Sequence, residues 1–281
     1  MKISDRIHLL RIDFEIILSP ENKMQRFVNV LLILGDKITL IDTGVKNSEG
    51  TIANYLRSLN RDISEVGTII LSHSHPDHIG SAARIKELTQ CKVIAHVLEK
   101  EWIEDIAFQN RQRPVPGFFS LVNKPVIVDE CISGNHEMRI HDGLTLQFIE
   151  SPGHSKGSLN IFFVEDKVLF TADSIPLKND IPNYDNYIEL MQSLKKIKNN
   201  HRYKTLLTSW TPPLTASEEM KKIIDEGEKY MKHIDAAVNA CYNNRGSDSL
   251  DSCRLTVEKL GLPPFLVNPI VDKAFRSHLK S

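Results

Sequence analysis

The chain has 281 residues, 41% hydrophobic and 25% charged, with 35 Lys and Arg against 36 Asp and Glu and a formal net charge of −1. That length buries a proper core, as one large domain or a domain with an appendage. The near-neutral balance removes any electrostatic argument for nucleic acid or an anionic membrane as partner.

In chain order, the opening Met1-Lys2-Ile3-Ser4-Asp5-Arg6 interleaves charge with apolar residues and forms no signal-peptide core. No later run reaches membrane-spanning length, so a soluble cytoplasmic protein is expected. Val28 to Leu34 and Ile38 to Ile41 read as strands joined around Gly35-Asp36, the second ending in Asp42-Thr43-Gly44. A helical period covers Ile52 to Leu59, a strand Thr68 to Leu71, a short helix Gly80 to Leu88 and a strand Cys91 to Val97. From Leu98 to Lys124 the pattern starts helically and breaks at Arg113-Pro114-Val115-Pro116-Gly117-Phe118-Phe119. That segment reads either as a packed surface loop or as a lid over a pocket.

Strands return at Val126 to Val128, Leu144 to Ile149, Leu159 to Val164 and Val168 to Thr171. Phe163-Val164-Glu165-Asp166-Lys167-Val168 echoes Ile33-Leu34-Gly35-Asp36-Lys37-Ile38, which points to two similar halves. An amphipathic helix is expected from Tyr184 to Ile197 with Asn183 as N-cap, then a last strand from Thr205 to Thr208. After Pro212-Pro213 a capping box at Thr215 and Glu218 opens a long helical stretch, with further helices at Leu250 to Leu260 and Leu266 to Leu279. The expected division is a core over 1–214 and an all-helical extension over 215–281. Its apolar stripe is assigned to packing on the core, with a homodimer seam as the alternative. Cys91, Cys131, Cys241 and Cys253 form no Cys-x-x-Cys pair and read as reduced, mostly buried thiols.

The densest chemistry lies in His73-Ser74-His75-Pro76-Asp77-His78, on a turn that leaves the apolar run Thr68 to Leu71. Imidazole nitrogen and carboxylate oxygen are the donors preferred by zinc and similar ions. Histidines at i and i+2 on extended chain point to one side. The bland reading is a polar turn rich in histidine, but surface turns rarely collect such a set; the run reads as a metal site. Ser151-Pro152-Gly153-His154-Ser155 adds a fourth histidine after a strand, and Thr171-Ala172-Asp173-Ser174 adds an aspartate after the next hairpin.

His-x-His-x-Asp-His, Pro-Gly-His and an aspartate after an apolar strand, in that order, resemble the metallo-β-lactamase superfamily over roughly residues 7–214. Asp42-Thr43-Gly44 matches its early aspartate loop. The resemblance implies an α/β fold, a four-layer αββα sandwich with the metal site on strand-end loops at one edge. It implies that His73, His75 and His154 hold a first metal, that Asp77 and His78 hold a second, and that Asp173 bridges them. Asp42 would support the ligands from behind. The implied cofactor is zinc, as two ions or as one with a weak second site, with iron or manganese as alternatives. The implied reaction is hydrolysis of an ester, thioester, amide or phosphodiester of a small molecule by activated water, with Asp77 orienting that water or taking its proton. The superfamily's diiron oxidoreductases carry an acidic residue in place of His75, which argues against that branch.

The chain departs from the pattern at Thr208-Ser209-Trp210-Thr211, where dinuclear hydrolases place one more histidine. An indole nitrogen has no free lone pair, so Trp210 is no ordinary ligand and the second ion keeps fewer donors. His201 is the remaining alternative ligand, although its charged segment reads as exposed. His96, His136, His141 and His233 have no ligand-like context. Trp210 with Trp102, Phe118 and Phe119 is a candidate apolar substrate wall; equally, Trp210 fills the space of the missing ligand. A non-catalytic regulatory protein that binds a metal or small ligand is one alternative function, and a nuclease is another. The intact ligand run favours the enzyme, and the lack of a basic stripe interleaved with aromatics counts against nucleic acid.

Overall fold

The computed structural model describes residues 1–19, 22–140, 143–242 and 249–280. Strands β1 (Ile7–Ser19) and β2 (Asn22–Ile33) form a long antiparallel hairpin, and β3 (Ile38–Ile41) returns antiparallel to β2. Beyond β3 the sheet runs parallel through β4 (Val66–Ile70), β5 (Lys92–His96) and β6 (Glu130–Ile132). Helix α1 (Ser48–Ser58) connects β3 to β4, and α2 (Pro76–Ile79) and α3 (Ala82–Thr89) connect β4 to β5. Between β5 and β6 lie α4 (Lys100–Glu104), α5 (Ile106–Gln112) and α6 (Phe118–Leu121).

The second sheet contains β7 (His136–Arg139), β8 (Thr145–Glu150), β9 (Leu159–Phe163), β10 (Val168–Phe170) and β11 (Thr205–Leu207), in the order β11-β10-β9-β8-β7. Helix α7 (Tyr187–Lys198) bridges β10 and the parallel β11; α8 (Ser217–Tyr242), α9 (Ser249–Lys259) and α10 (Pro269–Arg276) follow.

Alternation along the strands sorts side chains into three apolar layers. Ile41, Ile70 and Ile94 of the first sheet meet Phe148, Ile161, Phe163 and Phe170 of the second. Their neighbours Leu40, Ile69 and Val93 face outward onto Ile52, Leu56 and Ile85 of α1 and α3. On the other side Phe162, Leu169 and Leu206 lie under Leu190 and Leu194 of α7, in one cluster with Met231, Ile234, Val257 and Phe275. The result is a four-layer αββα sandwich whose C-terminal helices share a continuous core with the second sheet.

Three local expectations change. β1 is absent from the sequence reading, yet Leu10, Ile12, Phe14 and Ile16 pack on the first sheet's outer core while Arg11, Asp13 and Glu15 face away. That is a period-two signal. Val126 to Val128 is buried but not a strand, because the Val126 N–H goes to Ile103 O (3.2 Å) and the Val128 N–H to Glu104 Oε1 (2.9 Å). Helix α7 starts at Tyr187 with Asn186 as cap, not at Tyr184 with Asn183, since the Asp185 and Asn186 amides are taken by Gly153 O at 2.8 and 3.0 Å. The echo between the two hairpins has a structural counterpart: β2–β3 and β9–β10 are both antiparallel pairs followed by a parallel neighbour. Of the thiols, Cys91 and Cys253 are buried, Cys241 is partly covered and Cys131 is exposed. Among the described residues no helix is long and apolar enough to cross a membrane.

Phe275 is fully buried in the shared cluster. Phe275→Ala is expected to cost about 3–5 kcal/mol, shifting one denaturant transition seen alike by tryptophan fluorescence and far-ultraviolet circular dichroism. Both tryptophans precede residue 214, so a fluorescence transition left in place while the helical signal shifts would show helices that unfold alone.

Candidate metal centre

The chemically distinctive residues follow strand ends: Asp42 after β3, His73 to His78 after β4, His154 after β8, Asp173 after β10 and Trp210 after β11. His75 is still extended (φ −62°, ψ 147°), and Pro76 opens α2 in its first turn, where a missing N–H is harmless. Asp77 and His78 therefore fall on one tight turn directly beyond the two extended histidines.

One ring nitrogen from each of His73, His75 and His154 lies within 4.8 Å of the others, and the same holds for donor atoms of His73, His78 and Asp173. His154 Nε2 is 2.8 Å from His75 Nδ1 and 3.3 Å from Asp173 Oδ2. His78 Nε2 is 3.3 Å from Asp173 Oδ1, without hydrogen-bond alignment, and 3.8 Å from Asp77 Oδ2. Asp173 thus turns one oxygen to each group, while Asp77 stands outside both and borders the adjoining cavity. Burial holds His73, His75 and His154 below the ordinary imidazole range. Burial acts the same way on His78, but Asp173, Asp42 and Asp77 outweigh it and hold that imidazole well above.

The tautomers of two rings follow from Asp42. Its Oδ1 accepts the Ser72 N–H (2.8 Å), and its Oδ2 accepts the Ser72 hydroxyl (2.7 Å) and His78 Nδ1–H (2.8 Å). Having donated to Asp42, the Ser72 hydroxyl can only accept from His73 Nδ1, at 3.0 Å. Both rings keep a proton on Nδ1, so His73 Nε2 has a free lone pair, while on His78, whose acidic neighbours favour a second proton, Nε2 is the position from which a cation would displace it. The Nε2 atoms of His73, His75 and His78 and the Oδ1 atom of Asp173 are buried without a hydrogen-bond partner. Buried, unpartnered donors converging at this distance fit a divalent cation.

Several supporting residues are invisible to motif reading. Glu99 is buried; one oxygen accepts the Ser74 N–H (2.9 Å) and hydroxyl, the other the Ser155 hydroxyl (2.8 Å) and Gly157 N–H (2.6 Å). It therefore straps the β4 loop to the β8 loop. Gln109 of α5 donates to Ser74 O at 2.7 Å. Nothing distinguishes Ser72, Glu99 or Gln109 locally from surface residues of the same type. Gly153 enters the sequence reading only as part of the Pro-Gly-His motif; at φ +123° a Cβ would lie 2.2 Å from the Leu190 amide nitrogen, which only glycine avoids.

The centre opens into a cavity of about 230 Å³ bordered by Asp77, His154, Asp173 and Trp210. Trp210 stands edge-on to His78 (centroids 6.4 Å apart, 77°), under the Arg26 guanidinium at 4.6 Å. Asn29 pins its loop by donating to Thr208 O (2.9 Å) and Thr211 O (2.8 Å). Trp102, Phe118 and Phe119 do not border this cavity. The first turn of α6 sends Phe118 into the core against the first sheet and leaves Phe119 52% exposed, while Trp102 is half-buried on α4. Val115, Pro116 and Leu121 of that segment border the cavity instead. His201 is exposed and outside both donor groups, His96 pairs with Glu150 at 3.0 Å, and His136 and His233 are exposed. His141 lies outside the described residues.

Asp42→Asn removes a charge that two imidazoles depend on. It is expected to weaken zinc binding by about 10–100-fold in chelator competition, whereas unchanged affinity would contradict the assigned hydrogen-bond chain.

The metallo-beta-lactamase superfamily profile matches residues 24–208. "Probable metallo-hydrolase YqgX" of Bacillus subtilis is 30% identical over 158 residues, 55% of this chain and 68% of that protein. Flavo-diiron protein FprA2 of Clostridium acetobutylicum is 30% identical over 162 residues, 57% of this chain and only 36% of that one. A metallo-beta-lactamase family protein from Thermus thermophilus has the same fold, with a TM-score of 0.77 over 99% of this chain and 94% of that one at 18% identity. The C-terminal helices are thus part of the shared architecture. By profile match and by fold, the chain belongs to the metallo-beta-lactamase superfamily.

Proposed function

We propose that the chain is a metal-dependent hydrolase that cleaves an ester, thioester, amide or phosphodiester bond of a small molecule with activated water. The observation that carries this reading is the convergence of His73, His75, His154, His78 and Asp173 as buried donors beside a cavity. The similarity to a protein named as a metallo-hydrolase supports it. His73, His75 and His154 are assigned to a tight position, and His78, Asp173 and Asp77 to a weaker one, because Trp210 brings no donor. The nitrogen-rich set suits zinc best, with iron and manganese as alternatives. A bound divalent cation supplies Lewis acidity and brings the pKa of its water towards neutrality.

The chain's own groups do the rest. Asp77, with an 18% exposed side chain at the cavity edge, takes the proton of the attacking water and returns it to the leaving group. Asp42 and Ser72 keep the His73 and His78 lone pairs directed, and the apolar walls limit competing water. His75 in place of an acidic residue weighs against diiron redox chemistry of the kind the name FprA2 denotes. The confined cavity and the net charge of −1 weigh against a nuclease.

Hydrolysis of a panel covering the four bond classes is expected to stop on chelation and return with added Zn²⁺. Asp77→Asn should lower kcat by about 10²–10⁴-fold with KM little changed. Turnover that survives full metal removal would contradict the reading; firm metal binding with no turnover of any class would favour the regulatory alternative.

A further inference from the structure

We propose that Arg113 is the anion receptor of this site, so that the substrate joins an apolar body to a carboxylate or phosphate head. This rests on the hydrolase reading for the word substrate, not for the binding chemistry. Arg113 caps the C-terminus of α5, one turn beyond Gln109 on the same helix face. Gln109 grips Ser74 O in the histidine loop, so the turn that carries Arg113 is bolted to the metal centre itself.

Arg113 is only 6% exposed and borders the cavity. Among the described residues no carboxylate lies within salt-bridge distance of its guanidinium; its side chain donates to Asn183 Oδ1. The other arginine at the cavity, Arg26, is treated differently: Asp180 takes it in two bonds, at 2.8 and 3.0 Å. The carboxylates that favour the Arg113 charge from further off are Asp185, Asp77, Asp173 and Glu99. Two of these, Asp77 and Asp173, are assigned to the cation, Glu99 is occupied by the two loops, and Asp185 is already paired with Lys273 at 2.8 Å. A loaded centre therefore leaves a buried guanidinium with little compensation, and burying a charge without a partner is costly.

The fork answers that need. A guanidinium has five donors in one plane and matches the two-oxygen edge of a carboxylate or phosphate. Around it the cavity is lined by Phe14, Ile16, Met24, Ile175, Leu177 and Ile181. Among the described residues no lysine borders the cavity. An anionic head beside Arg113 and an apolar chain along these walls is the ligand that uses both features.

The test is calorimetric binding of hexanoate, hexyl phosphate and hexanol to zinc-loaded and metal-free protein, for the wild type, Arg113→Met and Arg113→Lys. Zinc-loaded wild type is expected to prefer one of the two anions over hexanol by about tenfold or more, and the tighter anion identifies the head group. Arg113→Met keeps the volume without the charge and should erase the preference; Arg113→Lys keeps the charge without the fork and should retain part of it. An anion preference unchanged in Arg113→Met would put the anion on the metal and overturn the proposal. So would binding of neither anion, or an equal loss of anion and hexanol binding with a lowered melting temperature, the mark of a purely structural arginine. Anion selectivity that depends on Arg113 in a protein that hydrolyses nothing would defeat the hydrolase reading and leave the receptor in place.

Discussion

The buried carboxylate of Asp42 is the constraint on which the centre depends. It sits at φ +62°, a left-handed conformation that is uncommon for a residue with a Cβ. Its amide is fixed to Ile70 O at 2.9 Å, and the next residue, Thr43, binds His78 O through both its N–H (2.8 Å) and its hydroxyl (2.9 Å). The end of β3, the end of β4 and the turn of α2 are thereby locked together. From that position one carboxylate receives three hydrogen bonds and dictates which nitrogen of His73 and His78 keeps its lone pair. An imidazole turned the other way would present a proton to the cation instead of a donor pair.

Two further braces extend the lock across the sandwich. Glu99, just beyond β5 of the first sheet, receives hydrogen bonds from the loops after β4 and β8, so His75 and His154 are positioned by a single side chain. Asn29 of β2 holds the loop after β11, with its own N–H on Ser209 O at 2.8 Å. These contacts bury polar groups that are satisfied only when both sheets are in place, so the layers that build the core also complete the site. Charge at the centre is balanced in the same local way. Burial opposes the charge of Asp173, but the adjacent His78, itself held in its charged form, keeps that carboxyl well below the usual carboxylate range.

Much of this was legible in the sequence because the ligand-type residues are crowded into short runs at strand ends. The run from His73 to His78 announces itself, and strand alternation announces the layers. The supporting residues are ordinary types whose roles exist only after folding: Ser72 matters because it stands between Asp42 and His73, and Glu99 because two distant loops meet on it. Arg113 looked like part of a proline-rich break, and nothing local predicted its burial. Phe118 and Phe119 attracted attention as adjacent aromatics, but adjacency on a helical turn sends neighbours in different directions, one to the core and one to solvent. The reading of Trp210 as either wall or plug does not divide cleanly, since the ring both borders the cavity and stands against His78.

The central claim is that hydrogen bonding from behind presets a group of imidazoles to receive a cation. Elemental analysis of protein purified without chelator tests it most directly. Close to one equivalent of zinc or a similar divalent ion, with a second taken up more weakly on titration, is the predicted result. Protein that arrives metal-free and refuses added Zn²⁺ would contradict the account.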